Sequence, residues 1–492
     1  VVQSAIDASA DPSGNVFLLI RNDPNGPNPS ERLMKMSPTG ATIWSKELLI
    51  GDGQDWISTA QIATDKLGNV ALTGRASTSG ASGGFLSKFN GAGVALWTKR
   101  FNDVVGRDYH PLDVQFDHTN QVVIAGFSRV NGAQRMMLHR YGLNGELRFQ
   151  RYYANASYND NFAQFLTIDP VGNIYVGGAS TNLSNRLQPF FWSYSPSGTL
   201  RYARSLVITR LVYSFGGAVS ADGKFVIGLG PVQNGVPTIG AIQLNADGST
   251  AWLKTKAATG TFYGGAIALA PNGNVVLGGS HSTNGNEDDY WRTMVIGPTG
   301  TILRDAVLVG ASESSQDYVK GAFFDGASNL YLAGEASYGG PQTGRLQQFL
   351  PTGDLGWNTR LTASQSVYHK GLVTDAFGSV IGFGFAWVGS NPTAFVAKLG
   401  NLNSVSGPAG NLAPGATRTL KVTLAMAART GGVRVSLSSN SARLIVPASV
   451  LVPAGTTEAT FVARATAGGA ADAVVTAQIP GVPRTLNIAI RP

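Results

Sequence analysis

A segment of the form Asp-x-x-Gly-Asn-apolar recurs along this chain and limits its possible folds more than any other feature. It reads Asp11-Pro-Ser-Gly14-Asn15-Val16, Asp65-Lys-Leu-Gly68-Asn69-Val70 and Asp169-Pro-Val-Gly172-Asn173-Ile174. Weaker copies run from Asp117 to Asn120, Ser220 to Gly223, Ala270 to Gly273, Asp325 to Ser328 and Asp375 to Gly378. The glycine-equivalent positions are 14, 68, 120, 172, 223, 273, 328 and 378, set 50 to 55 residues apart. Eight copies at that interval mark a series of similar supersecondary units.

The chemistry of the segment is that of a hairpin turn. Its Asp can accept the turn's own backbone N–H groups, and the Gly three residues on can take the positive φ that other side chains resist. Where Gly is lost, Asn120 is the next most tolerant residue. An Asp-rich turn also invites a calcium reading, but the alternating carboxylates of a calcium loop are missing. After each turn comes an apolar strand that ends in Gly, as in Val70–Gly74, Val122–Gly126, Ile174–Gly178, Val275–Gly279 and Leu330–Gly334. Such a Gly marks close backbone approach.

A second tight turn follows a variable loop and a third strand, at Gly40, Gly93, Gly145, Gly198, Gly248, Gly300 and Gly353. Four residues beyond these glycines stand Trp44, Trp97, Phe149, Tyr202, Trp252 and Trp357, with Arg304 as the exception. Each unit therefore reads strand a, turn, strand b, loop, strand c, Gly turn, strand d with its aromatic. Four antiparallel strands per unit, eight times over, predict an all-β fold containing an eight-bladed β-propeller. The strand-d rings are expected to pack on the next blade, with Trp97 buried there.

These repeats resemble the bacterial SBBP β-propeller family. Its blades carry an Asp-Tyr pair, a strand, and then Asp-x-x-Gly-Asn-x-Tyr-Val-x-Gly. The pair is present as Asp55-Trp56, Asp108-Tyr109 and Asp317-Tyr318, and in reduced form at Phe162, Tyr213, Tyr263 and Tyr368. The resemblance covers residues 1 to about 400 and implies a secreted or cell-surface protein without implying an activity. The Gly-x-x-x-Trp element also looks like the docking motif of quinoprotein propellers, although no calcium-binding carboxylates accompany it at matching spacing.

Composition shifts after Leu399. Residues 401–415 are rich in Gly, Pro, Ser and Asn and read as a linker. Apolar alternation returns in Thr419–Leu424, Val433–Leu437, Ala459–Ala463 and Thr485–Ile490. The stretch from Gly432 through Phe461 is similar to bacterial immunoglobulin-like spacer domains. The expected organisation is a propeller over 1–400, a linker over 401–415 and a C-terminal immunoglobulin-like β-sandwich over 416–492, attached outside the ring by few contacts.

The 492 residues include no Cys, which excludes disulfides, thiolate metal sites and cysteine nucleophiles. The start at Val1 reads as a processed N-terminus, and no apolar run of 18 residues offers a membrane span. A formal charge of +8 without Lys/Arg runs gives no sign of a nucleic-acid partner. The five histidines, 110, 118, 139, 281 and 369, form no metal-ligand pattern. No Gly-x-Ser-x-Gly elbow stands in a strand-to-helix context, no sialidase-type Asp box occurs, and the Glu287-Asp288-Asp289 run reads as a solvated loop. No metal and no cofactor is expected.

Candidate binding residues are the aromatics just before strand a: Trp56, Tyr109, Phe162, Tyr213, Tyr263, Tyr318 and Tyr368. They would ring one channel mouth and suit sugars or a partner's loop, or else wedge between blades. Two functions fit this chain. One is a non-catalytic extracellular scaffold or recognition protein, with a surface protein or glycan as partner or as a subunit of a larger assembly. The other is a glycan-active propeller enzyme with paired carboxylates at the mouth. Unit eight points to the first. It supplies strands a, b and c but no strand d, so the backbone of Ala394, Phe395, Val396, Ala397, Lys398 and Leu399 is expected to be an unpaired edge. That edge is open to self-assembly through a strand from a neighbouring subunit, or to a strand from a segment upstream of Val1 or from another protein.

Overall fold

The computed structural model describes residues 3–22, 30–49, 54–78, 81–101, 107–130, 133–153, 158–182, 187–206, 214–230, 238–257, 261–282, 289–308, 318–336, 343–352, 354–361, 366–389 and 391–492. None of these is helical. Residues 3–399 form eight antiparallel sheets in chain order, each a simple meander. Sheet one runs Gln3–Ala10, Val16–Asn22, Ser30–Met36 and Thr42–Glu47, and sheets two to seven repeat its four-strand order. The first strands of successive sheets touch one another in a closed cycle, and that of sheet eight meets that of sheet one. The arrangement is all-β and propeller-like.

The turn chemistry is as expected. Asp65 Oδ1 accepts the N–H groups of Leu67 (2.9 Å) and Asn69 (2.8 Å), and Asp11, Asp117, Asp169, Asp325 and Asp375 act in the same way. Gly68 has φ +79°, and Asn120 and Ser328 adopt the same left-handed conformation at 60° and 66°. The strand-b glycine has a specific cause. Strand a carries a β-bulge, at Leu112 in sheet three and Gln164 in sheet four. The bulge drives a carbonyl onto the neighbouring Cα, so that a methyl group on Gly178 would fall 1.9 Å from Phe162 O, and one on Gly384 1.9 Å from Tyr368 O.

One recurring interaction has a sequence signal that turn reading passes over. The residue before last in strand c is basic in several sheets and reaches the buried turn Asp: Lys35 to Asp11 at 3.1 Å, Lys88 to Asp65 at 3.3 Å, Lys398 to Asp375 at 2.8 Å, and Arg140 to Asp117. In sheets four and seven, which lack that base, a tyrosine takes the role. Tyr175 donates to Asp169 and Tyr331 to Asp325.

The strand-d rings dock on the next sheet. A methyl group on Gly93 would lie 3.1 Å from Trp44, and one on Gly145 2.9 Å from Trp97. Trp97 also donates its indole N–H to Leu143 O at 2.9 Å. The ring is only half-buried, because strand d is the outermost strand. Trp97→Ala should therefore lower the unfolding free energy in a denaturant titration by about 2 kcal/mol, short of the cost of emptying a closed core site.

Residues 402–490 form two further four-stranded sheets. One comprises Leu402–Ser406, Thr417–Leu424, Glu458–Ala465 and Leu444–Ile445; the other comprises Ser449–Val452, Val433–Ser439, Ala471–Ile479 and Val482–Ile490. They enclose a single apolar core that includes Val422, Val435, Phe461 and Ile490. The stretch 401–415 is thus more than a linker. Leu402–Ser406 pairs with Thr417–Leu424, and its Leu402 and Val405 are buried in that core.

This second unit is also fixed to the ring more firmly than the sequence suggests. Met426 is buried in a cluster with Tyr331, Leu346 and Val380, and Ala427 donates its N–H to Asp325 Oδ2 at 3.1 Å. Asn401 donates to Phe377 O at 2.8 Å, and on the far side the Pro480–Gly481 turn lies against Gly14 and Pro38. The unit therefore touches sheets seven, eight and one, on both sides of the junction where the ring closes.

Candidate functional site

The aromatics at the start of strand a do not share one environment. Tyr109 is 3% exposed, with its ring 6.0 Å from Phe101 of the preceding sheet, so it is a wedge between sheets two and three. The bulge explains the difference. Phe162, Tyr318 and Tyr368 each stand two residues before the bulged residue, and in sheet three that place belongs to His110 rather than Tyr109. His110 stacks on Phe127 at 4.4 Å, and Phe127 meets Phe162 edge-on at 6.3 Å. Tyr368 stacks on Phe385 at 4.8 Å, and Lys320 Nζ lies 4.6 Å from the Tyr318 ring. Phe162, Tyr318 and Tyr368 are half-buried. The side chains of Trp56 and Tyr263, and the whole of Tyr213, lie outside the described residues, as do Glu287 and Asp288.

A channel cavity of about 500 Å³ is bordered by first strands of sheets one, two, three, seven and eight. Its wall breaks the symmetry of the repeat, with Asp7, Gln61 and Gln115 on one side and Lys320 and Lys370 on the other. Burial pushes the Asp7 carboxyl up to about 7, against the N–H groups of Ile62 and Ala8 that its oxygens accept at 2.8 Å. Asp113 occupies the same register in sheet three, is raised to about 7 by the same burial, and accepts Leu166 N–H at 2.7 Å. Each carboxyl staples its strand to the first strand of the next sheet. A hydrolase pair needs two carboxyls facing one substrate. Asp7 borders the cavity and Asp113 does not.

The expected edge is the other candidate. Sheet eight holds Val367–Thr374, Val380–Val388 and Asn391–Leu399, and among the described residues no fourth strand joins it. Strand c is buried in sheet seven in all but its first residue, whereas in sheet one it alternates between half-buried and buried residues. In sheet eight, Ala394, Phe395, Val396, Ala397 and Lys398 are half-buried and Leu399 is 38% exposed. The residues after Gly400 turn away to pair within the second unit.

Beside this edge lies an open cavity of about 340 Å³. Val16, Met36 and the turn 37–40 of sheet one wall one side, Val396 and Lys398 the other, and Gly481 closes one end. Gly40 is the strand-c-to-d glycine of sheet one, yet nothing lies within 4 Å of a methyl group built on it. Its counterparts at 93, 145, 198, 248 and 300 all carry the ring of the preceding sheet's strand d within 3.1 Å.

No family model matches the chain, and no curated protein matches it. Among solved structures it is similar to the β-propeller domain of the Trilobed protease from Pyrococcus furiosus, described as having an open velcro topology. The identity is 9% over 70% of this chain and 97% of that one, with a TM-score of 0.41. It is similar to PorZ, a bacterial surface component of the type-IX secretion system of Porphyromonas gingivalis, at 13% identity over 99% of this chain and 70% of that one, TM-score 0.32. It is similar to a puromycin hydrolase at 12% identity over 78% of this chain and 58% of the hydrolase, TM-score 0.45. Likeness this remote carries no information about activity. Among the described residues, no helix is long and apolar enough to cross a membrane.

Proposed function

We propose that this chain is a non-catalytic extracellular or cell-surface scaffold that works as a subunit of a larger assembly. In this reading the eight sheets are the blades of an eight-bladed β-propeller and residues 402–490 are an immunoglobulin-like module. The observation that carries the proposal is the open edge at Asn391–Leu399. An extended strand with free backbone groups recruits another strand, and natural sheets cover such edges unless they are used. The buried carboxyls of the first strands support the same reading, because Asp7 and Asp113 are committed to holding adjacent first strands together.

The test is to compare protein isolated in its native complex with purified residues 1–492 by hydrogen exchange and electron microscopy. The native particle should contain additional protein, and the amides of 394–399 should exchange at least tenfold more slowly there than in the purified chain. A native particle that is a monomer, with the same exchange along this edge, would end the scaffold reading.

A further inference from the structure

The complete sheets specify what the missing strand must look like. In six of the seven, the aromatic of strand d stands opposite the residue before last of strand c, as in Trp44 opposite Lys35, Trp97 opposite Lys88, Phe149 opposite Arg140 and Trp252 opposite Gln243, while sheet six has Arg304 there, opposite Val295. The ring then lies on the next sheet's turn glycine. An indole N–H donates to the carbonyl two residues before that glycine: Trp44 to Gly91 at 3.1 Å, Trp97 to Leu143 at 2.9 Å and Trp252 to Pro298 at 3.0 Å. Two residues after the ring comes a base that caps the glycine carbonyl. Lys46 reaches Gly93 O at 2.7 Å, Arg151 reaches Gly198 O at 2.7 Å and Arg204 reaches Gly248 O at 3.2 Å.

Transferred to the junction of sheets eight and one, the same rules name every partner on the receiving side. The residue before last of strand c is Lys398, the turn glycine is Gly40, and the carbonyl two residues before it is that of Pro38. Lys398, Gly40 and Pro38 all border the 340 Å³ cavity, and Gly481 of the second unit lies beside the Pro38 carbonyl. Both halves of a ring seat are therefore built, and the strand that fills it elsewhere is missing. Within 1–492, each aromatic-x-Lys/Arg triplet, such as Phe127-Ser-Arg129 or Tyr368-His-Lys370, already lies in a paired strand. A folded second copy of residues 1–492 thus has no free segment of this pattern to offer.

We propose that sheet eight is completed by an extended segment of another polypeptide, running antiparallel to Asn391–Leu399 and carrying aromatic-x-Lys/Arg. Its ring lies on Gly40, a Trp at that place donates to Pro38 O, and its base caps Gly40 O. Main-chain pairing gives affinity, and the ring seat gives register and specificity. This deepens the scaffold reading and rests on it.

The probe is a synthetic peptide copying residues 94–101, which holds Trp97 and Lys99 of sheet two. Titrated into purified 1–492, it should bind saturably and slow amide exchange at 394–399. A peptide with Trp97→Ala should bind at least tenfold more weakly, and one with Lys99→Ala about threefold more weakly. On the protein, Val396→Trp and, from the exposed opposite wall, Thr39→Trp should each fill the seat. Both should reduce peptide binding at least tenfold with unchanged thermal unfolding. No binding at about 1 mM peptide, a free energy below roughly 4 kcal/mol, would overturn the inference, as would equal binding of the ringless peptide. Self-association of 1–492 that Thr39→Trp disperses would also overturn it, by showing that a second copy holds the seat. None of these failures touches the scaffold reading, which is judged on the native particle.

Discussion

Asp65→Ala should destabilise the protein by on the order of 3–5 kcal/mol, as expected when one member of a buried ion pair is removed. The Asp65 side chain is fully buried and that of Lys88 is 2% exposed. Asp65 Oδ2 lies 3.3 Å from the ammonium and accepts Asn69 Nδ2 at 2.7 Å, while Oδ1 holds two turn amides. Without the carboxylate, Lys88 is left with the face of Phe116 at 5.0 Å and a long contact of 3.5 Å to Asn120 O. Removing the charge should recover part of the loss, so Asp65→Ala/Lys88→Met should be more stable than Asp65→Ala alone. Denaturant titration of the four proteins measures this. A loss below about 1 kcal/mol for Asp65→Ala, or no rescue by Lys88→Met, would show that the pair is not a structural fixture of the repeat.

The second large effect is a loss of stability in acid from one histidine. His369 is 2% exposed, and neither ring nitrogen has a hydrogen-bond partner. Burial holds its pKa down to about 4. The unfolded chain takes up a proton below about 6.5, whereas the folded protein does so only near 4. The stability this residue contributes is therefore complete above 6.5 and is lost as pH falls toward 4. The size is roughly 3 kcal/mol, from the distance between the two values. Asp7, Asp113 and Glu335 work in the opposite direction. Burial raises each to about 7, so their contribution is present below about 4 and is lost as pH rises toward 7. The two trends share one pH window and oppose each other, so the wild-type profile alone cannot separate them. The difference between wild type and His369→Leu can: it should change by roughly 3 kcal/mol between pH 7 and 4, in favour of the variant in acid. A constant difference would mean that water or a shift of the ring relieves the buried imidazole.

Most of the ring was legible in the sequence because its constraints are local. Turn Asp and left-handed Gly answer to residues within four or five positions, the strand-d aromatic keeps a fixed four-residue distance from its own turn glycine, and Asn120 could be recognised as a substitute for Gly on conformational grounds alone. The missing fourth strand of unit eight was legible for the same reason, since nothing after Leu399 carried the pattern. Non-local features were harder. The 23- or 24-residue spacing from turn Asp to strand-c base, as in Asp65 to Lys88 or Asp375 to Lys398, is present in four units and went unread because it spans two strands. The bulge in strand a cannot be seen in residue types, and it moved the aromatic register from Tyr109 to His110. Residues 401–415 misled by composition, since Pro and Gly there flank a five-residue strand. Met426 gave no signal, because its role depends on a cluster built by sheets seven and eight.

The closure of the ring has a consequence for how such a chain can change over generations. Among the described residues, sheet eight borrows no strand from sheet one, and the second unit rests across the junction through Ala427, Asn401 and Pro480. A ring sealed by weaving one end of the chain into the sheet of the other is locked to its copy number, because an added repeat must be threaded past that weave. Among the described residues the seam is a docked surface. A duplication or loss of one 50-odd-residue unit leaves the seam chemistry of Lys398, Gly40 and the covering module intact and alters only the circumference. Repeat number thus becomes a quantity that gene duplication can adjust without redesigning the joint.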